Sequence, residues 1–368
     1  MNLASFSLSI FRTLVAMPVA TSLWLAPHSG WGQVVPTVAD QQPLVVRGAV
    51  YIPAEAFNAP QMWKNFSPTE TRRDFGYAQE IHLNALRIWT SYEYWQIEPG
   101  QFKASLDQLL DEAQAHEIRI LVSLFENDGV APTPENMWTT DPKKAFDVCS
   151  PALEIVSPAH KERWEQPREY LKWFMQNYRN DQRLLAIEVM NEPDRNAAPF
   201  ARSMYQTAKS MEGSIPLTIG SDSIERALGY IPLGLDIIEF HVNFPPTRQY
   251  FESEITNATA VGKQNHLPVW LTEWQRLRPD GSGWGKTKIP QAETLPDYAS
   301  LAPIIHQYQI GNFFWSLMVK QAYLPPQRAQ GTVNGLFFTD GSVWSLHDAR
   351  AIADDPSLKI PERKVLPH

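Results

Sequence analysis

The chain has 368 residues, 43% hydrophobic and 20% charged, which is the balance of a globular protein with a sizeable core. A net charge of −8 with no basic run makes nucleic acid and anionic membrane poor partners. One cysteine, Cys149, excludes an internal disulfide framework and a multi-cysteine metal site, and the nine histidines show no HExxH-type spacing, so neither metal nor other cofactor is expected.

The first 32 residues carry no acidic residue, one arginine (Arg12) and then the apolar run Thr13 to Ala26. Small residues at Gly30 and Gly32 offer a cleavage site before Gln33, so residues 1–32 read as a signal peptide and the product as secreted or periplasmic. An uncleaved N-terminal anchor is the alternative, since Leu3 to Ala26 nearly spans a bilayer. Residues 33–43 read as a linker, 44–355 as one folded domain and 356–368 as a tail.

From Leu44 onward, short apolar runs alternate with longer amphipathic ones. The first run is LVVRGAVY (44–51), followed by a capping box at Ser67-Pro68-Thr69-Glu70 that starts a helix towards His82. ALRIW (85–89) is the second strand. Ser105-Leu106-Asp107-Gln108 repeats the capping signal, with Leu106, Leu109, Leu110 and Ala113 as the apolar stripe. IRILVSLF (118–125) is followed by a helix whose stripe is Leu171, Phe174, Met175 and Tyr178. The remaining strands are LLAIEVM (184–190), PLTI (216–219), LDIIEF (235–240), PVWLT (268–272) and GNFFW (311–315), with weaker helices at 200–211, 248–263, 297–307 and 347–353. Eight nearly continuous apolar strands alternating with helices predict an α/β fold, a single-domain (β/α)8 TIM barrel. Long connections follow the third, seventh and eighth strands, on the face where barrel active sites are built.

Two of these strands end in a carboxylate, Glu192 in MNEPD and Glu273 in LTEW. Either alone is ordinary turn material. Together at strand tips they are the pair of acids that glycosidic cleavage needs. Glu126 and Glu239 are rival carboxylates, and Glu188, deeper on the strand of Glu192, reads as structural and paired with a buried partner. Gly281 to Thr287 ends like a phosphate loop but lacks its first glycine, and Cys149 has no evident histidine partner.

Over about 44–355 the sequence resembles the retaining glycoside hydrolases of clan A, nearest to family 5, the cellulase and mannanase group. Asn191-Glu192 is similar to that clan's fourth-strand Asn-acid/base, and Glu273 to its seventh-strand nucleophile. Arg87 in LRIW, His241 in FHVN and Trp315 in FFWSL match its second-strand arginine, sixth-strand histidine and eighth-strand tryptophan. The family's third-strand histidine is absent, replaced by Phe125-Glu126-Asn127-Asp128, and the tyrosine that positions the nucleophile is here Asn243. The resemblance implies a retaining β-glycosidase working by double displacement on a β-linked polysaccharide or oligosaccharide. Glu192 and Glu273 would be catalytic, and Arg87, Asn191, His241, Trp315, Trp89 and Asn127 would bind substrate. Trp138, Trp274 and Trp284 are further candidates for the groove. A transglycosylase using the same pair, or a catalytically silent sugar-binding barrel, are the alternatives. A monomer is expected.

Overall fold

The apolar runs become eight parallel strands in a computed structural model that describes residues 45–280, 288–322 and 325–364. They are β1 (Arg47–Val50), β2 (Ala85–Trp89), β3 (Arg119–Ser123), β4 (Leu184–Glu188), β5 (Leu217–Thr218), β6 (Ile238–Val242), β7 (Val269–Trp274) and β8 (Gly311–Phe314). Their order in one sheet is β5-β4-β3-β2-β1-β8-β7-β6. The two end strands meet where Asp236 N–H donates to Leu217 O and Thr218 Oγ1 to Ile237 O, each at 3.0 Å. The sheet is a TIM barrel. The signal-peptide and linker segments, and the Gly281–Thr287 loop with Trp284, lie outside the described residues.

Each strand leads to an outer helix, in turn Pro68–Glu80, Pro99–Ala115, Glu165–Tyr178, Ala198–Ser210, Ile224–Leu228, Arg248–Asn265, Ala302–Tyr308 and Leu346–Ala353. The first starts as expected, with Ser67 accepting from Glu70 N and Pro68 at the first helical position. Ser105 does not cap the second. That helix begins at Pro99, whose missing N–H costs nothing there, and Ser105 is buried inside it. The seventh helix begins at Ala302 rather than at 297. Asp348 takes the N–H groups of Tyr298 and Ala299 at 3.0 and 2.7 Å and holds that segment out of the helix.

The lumen is layered. At its base Val46, Ala85, Leu121, Ala186, Ile237 and Phe313 form an apolar cluster of their own. Gly48 leaves room for Phe313, whose ring would lie 2.3 Å from any Cβ placed there. One pleat higher the same inward positions carry Arg87 on β2, Glu188 on β4 and Glu239 on β6, all fully buried. The next pleat carries Trp89 and His241.

The long loop after β3 contains short helices at Pro134–Trp138 and Leu153–Val156 and a 3-10 turn at Pro158–Arg163. The loop after β8 contains an antiparallel pair, β9 (Lys320–Gln321) with β10 (Val333–Asn334), joined through the helix Pro325–Ala329. Residues 356–364 pack back on the barrel: Ile360 is buried, and Val343 N donates to Pro361 O at 2.8 Å. No helix among the described residues is long and apolar enough to cross a membrane.

Candidate active site

Arg87 is the hub of the lumen. Its Nε and Nη2 grip both oxygens of Glu188 at 2.7 Å, its Nη1 donates to Glu273 Oε1 at 2.7 Å, and Nη2 also reaches Asn191 Oδ1 at 2.6 Å. Burial works against the charge of this guanidinium, but Glu188 and Glu273 outweigh it and raise the pKa. Glu188 is therefore the structural, paired carboxylate that its depth suggested. Gly220 lies against this pair, where a Cβ would come within 2.4 Å of Glu188 Oε1.

Glu273 points into the lumen because β7 contains an irregularity. Glu239 pairs with Trp270 and Phe240 with Leu271, but His241 pairs with Glu273, so Thr272 is the extra residue. Strict alternation from the inward Trp270 would have aimed Thr272 inward and Glu273 out; the bulge reverses the phase. Glu273 Oε2 accepts from Asn243 Nδ2 at 2.9 Å, so the residue standing in place of the family's tyrosine also reaches this carboxylate. Gln275 Nε2 in turn donates to Asn243 Oδ1 at 3.2 Å.

Glu192 faces Glu273 from the end of β4. Its backbone is left-handed, φ 41°, a conformation that carries strain for a residue with a side chain. His241 Nδ1 is hydrogen-bonded to Glu192 and lies 3.6 Å from Glu273 Oε2. Burial lowers the pKa of His241 and favours the neutral ring. Burial, reinforced by the charge of Glu273, pushes Glu192 up to about 8. Ligand atoms of Glu192, His241 and Glu273 lie within 4.8 Å of one another. A divalent ion would fit that spacing, but Nδ1 is engaged by Glu192 and Glu273 Oε1 already has the Arg87 cation.

The two acids border a small cavity that opens to solvent, lined also by Glu126, Asp128, Asn191 and Trp315. Trp315 is half-buried, and Trp89 stands behind it, edge-on at 5.7 Å and under the Arg87 guanidinium at 4.5 Å. Arg87, His241 and Trp89 are therefore backing residues rather than cavity wall. Asn191, expected to bind substrate, donates from Nδ2 to both oxygens of Glu126 at 3.0 Å. Asn127 does not line the cavity; its neighbour Asp128 does, hydrogen-bonded to Glu192 and pushed up to about 9 by burial and the Glu192 charge. Trp138 and Trp274 also lie away from the cavity. Trp274 is buried and donates to Asn312 Oδ1 at 3.0 Å, and Trp138 carries Lys64 over its ring at 4.4 Å. Cys149 is buried, and burial pushes its thiol up to about 12, which leaves it unreactive.

Asp128 was within reach of sequence reasoning, because it sits in the stretch that replaces the missing third-strand histidine. Which of its four residues turns towards the acid/base position depends on the backbone after β3. There Glu126 forms bridges with both Ser150 and Asn191.

No protein-family model matches the chain. Mannan endo-1,4-beta-mannosidase 2 of rice (Oryza sativa subsp. japonica) is 23% identical over 240 residues, 54% of this chain and 53% of that protein, so the chain spans about half the length of the curated relative it matches. The endo-1,4-beta-D-mannanase of Thermotoga petrophila RKU-1 superposes with a TM-score of 0.55 at 13% identity, covering 84% of this chain and 98% of that one. A glycoside hydrolase family 5 mannosidase from Rhizomucor miehei gives 0.58 at 12%, covering 85% and 92%. The fold is that of these barrels, and the resemblance to family 5 suggested by the motifs agrees with them.

Proposed function

We propose that the chain is a retaining glycosidase of β-linked, mannose-containing polysaccharides or oligosaccharides, with Glu273 as nucleophile and Glu192 as acid/base. The observation that carries this reading is the pairing itself. Two strand-end carboxylates face one cavity, with oxygens within 4.8 Å. Retaining enzymes hold their carboxyl groups about 5–5.5 Å apart, and inverting ones leave a wider gap for water. The sugar is suggested by the mannanase and mannosidase relatives.

The chemistry follows from the surroundings of each acid. Arg87 and Asn243 hold the two oxygens of Glu273, which fixes its line of attack on the anomeric carbon. Glu192, held protonated at neutral pH, gives its proton to the departing oxygen as the C–O bond breaks. Esterification then removes the charge of Glu273, and with it one cause of the raised Glu192 pKa. Glu192 becomes a base, takes a proton from water, and the water oxygen displaces Glu273 from the anomeric carbon. A sugar hydroxyl in place of water makes the same step a transglycosylation. Trp315 supplies an apolar face for the reacting ring.

The deciding experiment incubates the purified protein with a panel of β-mannans, glucans and galactans and follows product configuration by NMR. Net retention is expected; net inversion rejects the mechanism. Glu192→Gln should lose about 10²–10⁴-fold in kcat/KM on natural linkages and recover much of it on aryl glycosides, whose leaving groups need no proton, while kcat on the aryl glycosides stays low because the second step still lacks its base. Glu273→Ala should lose activity on both. Export through the N-terminal segment belongs to the same reading, and sequencing the N-terminus of protein from the culture medium or periplasm tests it, with Gln33 as the expected first residue.

A further inference from the structure

Three loops on one side of the barrel mouth are tied together. Arg328, on the short helix after β8, donates to the carbonyls of Pro142 (3.1 Å) and Ala145 in the loop after β3. Its guanidinium also lies over the Phe146 ring at 4.6 Å. Lys320 on β9 donates to Pro53 O and Ala56 O, in the loop after β1, at 2.8 and 2.5 Å. From the β1 loop, Asn58 Nδ2 reaches Phe146 O at 3.1 Å and Gln61 Nε2 reaches Thr139 O at 2.8 Å. In the sheet β3, β2, β1 and β8 are consecutive, so these bonds make a continuous wall over that half of the rim. Over β5 and β6 the strands pass to their helices through short connections, 219–223 and 243–247, and the described residues build no such wall there.

The cavity lies between the wall and the two acids. Asp147 from the β3 loop and Gln327 and Asn334 from the β8 loop line it, together with Gln275 beyond β7. Gln275 and Gln327 are 1% and 2% exposed, yet Gln275 Oε1 and Gln327 Nε2 have no hydrogen-bond partner among the described residues. Buried amides are seldom left so, and two that border one cavity mark where a polar ligand completes them. Glu192 must stand on the side of the leaving group, and it projects from β4, at the border of the open half. The sugar that keeps the anomeric carbon therefore sits on the walled side.

We infer that the cavity is a blind subsite for the non-reducing terminal sugar, bounded by the Arg328 and Lys320 ties and hydrogen-bonded by Gln275 and Gln327, so that the protein cuts from the chain end rather than internally. This rests on the glycosidase reading above. The wall blocks a polymer from running through, and the open half lets the remainder of the chain leave over β4 to β6.

The test gives the full-length protein β-1,4-mannohexaose, its borohydride-reduced form and soluble mannan. One short product of fixed length should appear from the first time point, reduction of the far end should change the rate by less than about twofold, and mannan viscosity should stay flat. Arg328→Ala should release internal cleavage products and a falling viscosity while aryl β-mannoside hydrolysis persists. Gln327→Leu, which leaves the wall in place, should raise KM for the oligosaccharide about tenfold with kcat little changed. An immediate viscosity drop with mixed-length products from the unaltered protein overturns this inference and leaves the retaining mechanism standing. No turnover of any β-glycoside overturns both. An unchanged product pattern in Arg328→Ala with unchanged KM in Gln327→Leu overturns the assignment of the wall and subsite.

Discussion

Asp128 changes the account of the proton donor. Its carboxyl, neutral up to about 9, donates a hydrogen bond to Glu192, and that bond favours the ionised form of Glu192 against the burial that raises it. The result is a donor poised near 8 rather than higher. Activity should therefore fall on the alkaline side near pH 8, as the Glu192 proton is lost. Removing the donor with Asp128→Ala should move that limb of the kcat/KM profile to higher pH, and Asp128→Asn, which keeps an N–H, should leave it nearly in place. A limb that moves down in both variants would rule out the assignment. Glu126 shows the same environment from the other side. Burial and the charge of Asp147 hold it well above the usual carboxylate range, and it accepts from Asn191 where an open carboxylate would compete for sugar hydroxyls.

Among the elements, β7 separates what the sequence could reveal from what it could not. The apolar run ending in Glu273 announces a buried strand, and its length and position in an eightfold alternation place its tip at the barrel mouth. The direction of the side chain is another matter, because Thr272 is one residue too many and no composition signal marks it. The helix start at Pro99 makes the same point. Ser105 carries a capping signal, but the helix starts at a proline that gives up no hydrogen bond in the first turn, and Ser105 is a small buried residue inside it. Arg87 was identifiable by motif, but its fourfold engagement of Glu188, Glu273 and Asn191 depends on strands from distant parts of the chain meeting in one layer. β1 offers a direct check of that layering. Gly48→Ala should cost about 1–3 kcal/mol in chemical denaturation, because its Cβ overlaps the Phe313 ring, and Phe313→Leu in the same chain should return part of the loss. A neutral Gly48→Ala would mean that the base of the lumen is loosely packed.

At the scale of the whole molecule, the buried acids set how stability depends on pH. Burial is the first cause of the raised values of Glu93 and Asp147 (about 7), Glu192 and Glu239 (about 8) and Asp128 (about 9). A folded state that binds more protons than the unfolded chain loses stability as pH rises from the ordinary carboxylate range through those values. Lys320 and His241 are depressed and act in the opposite sense, but the carboxyls outnumber them. Thermal melts should therefore show a higher Tm near pH 5 than near pH 8.5, and a Tm that rises steadily over that span would contradict the assignment.

In most TIM barrels the rim segments are independent, so evolution can rewrite one without disturbing the rest. Arg328 and Lys320 remove that independence here, since each borrows carbonyls from a segment well over a hundred residues away. A lengthened or shortened β1, β3 or β8 segment would strand a cation in its neighbour. New substrate preferences should therefore arise by concerted edits to several segments, and grafting a single rim segment from another barrel would leave the recipient mouth unsealed.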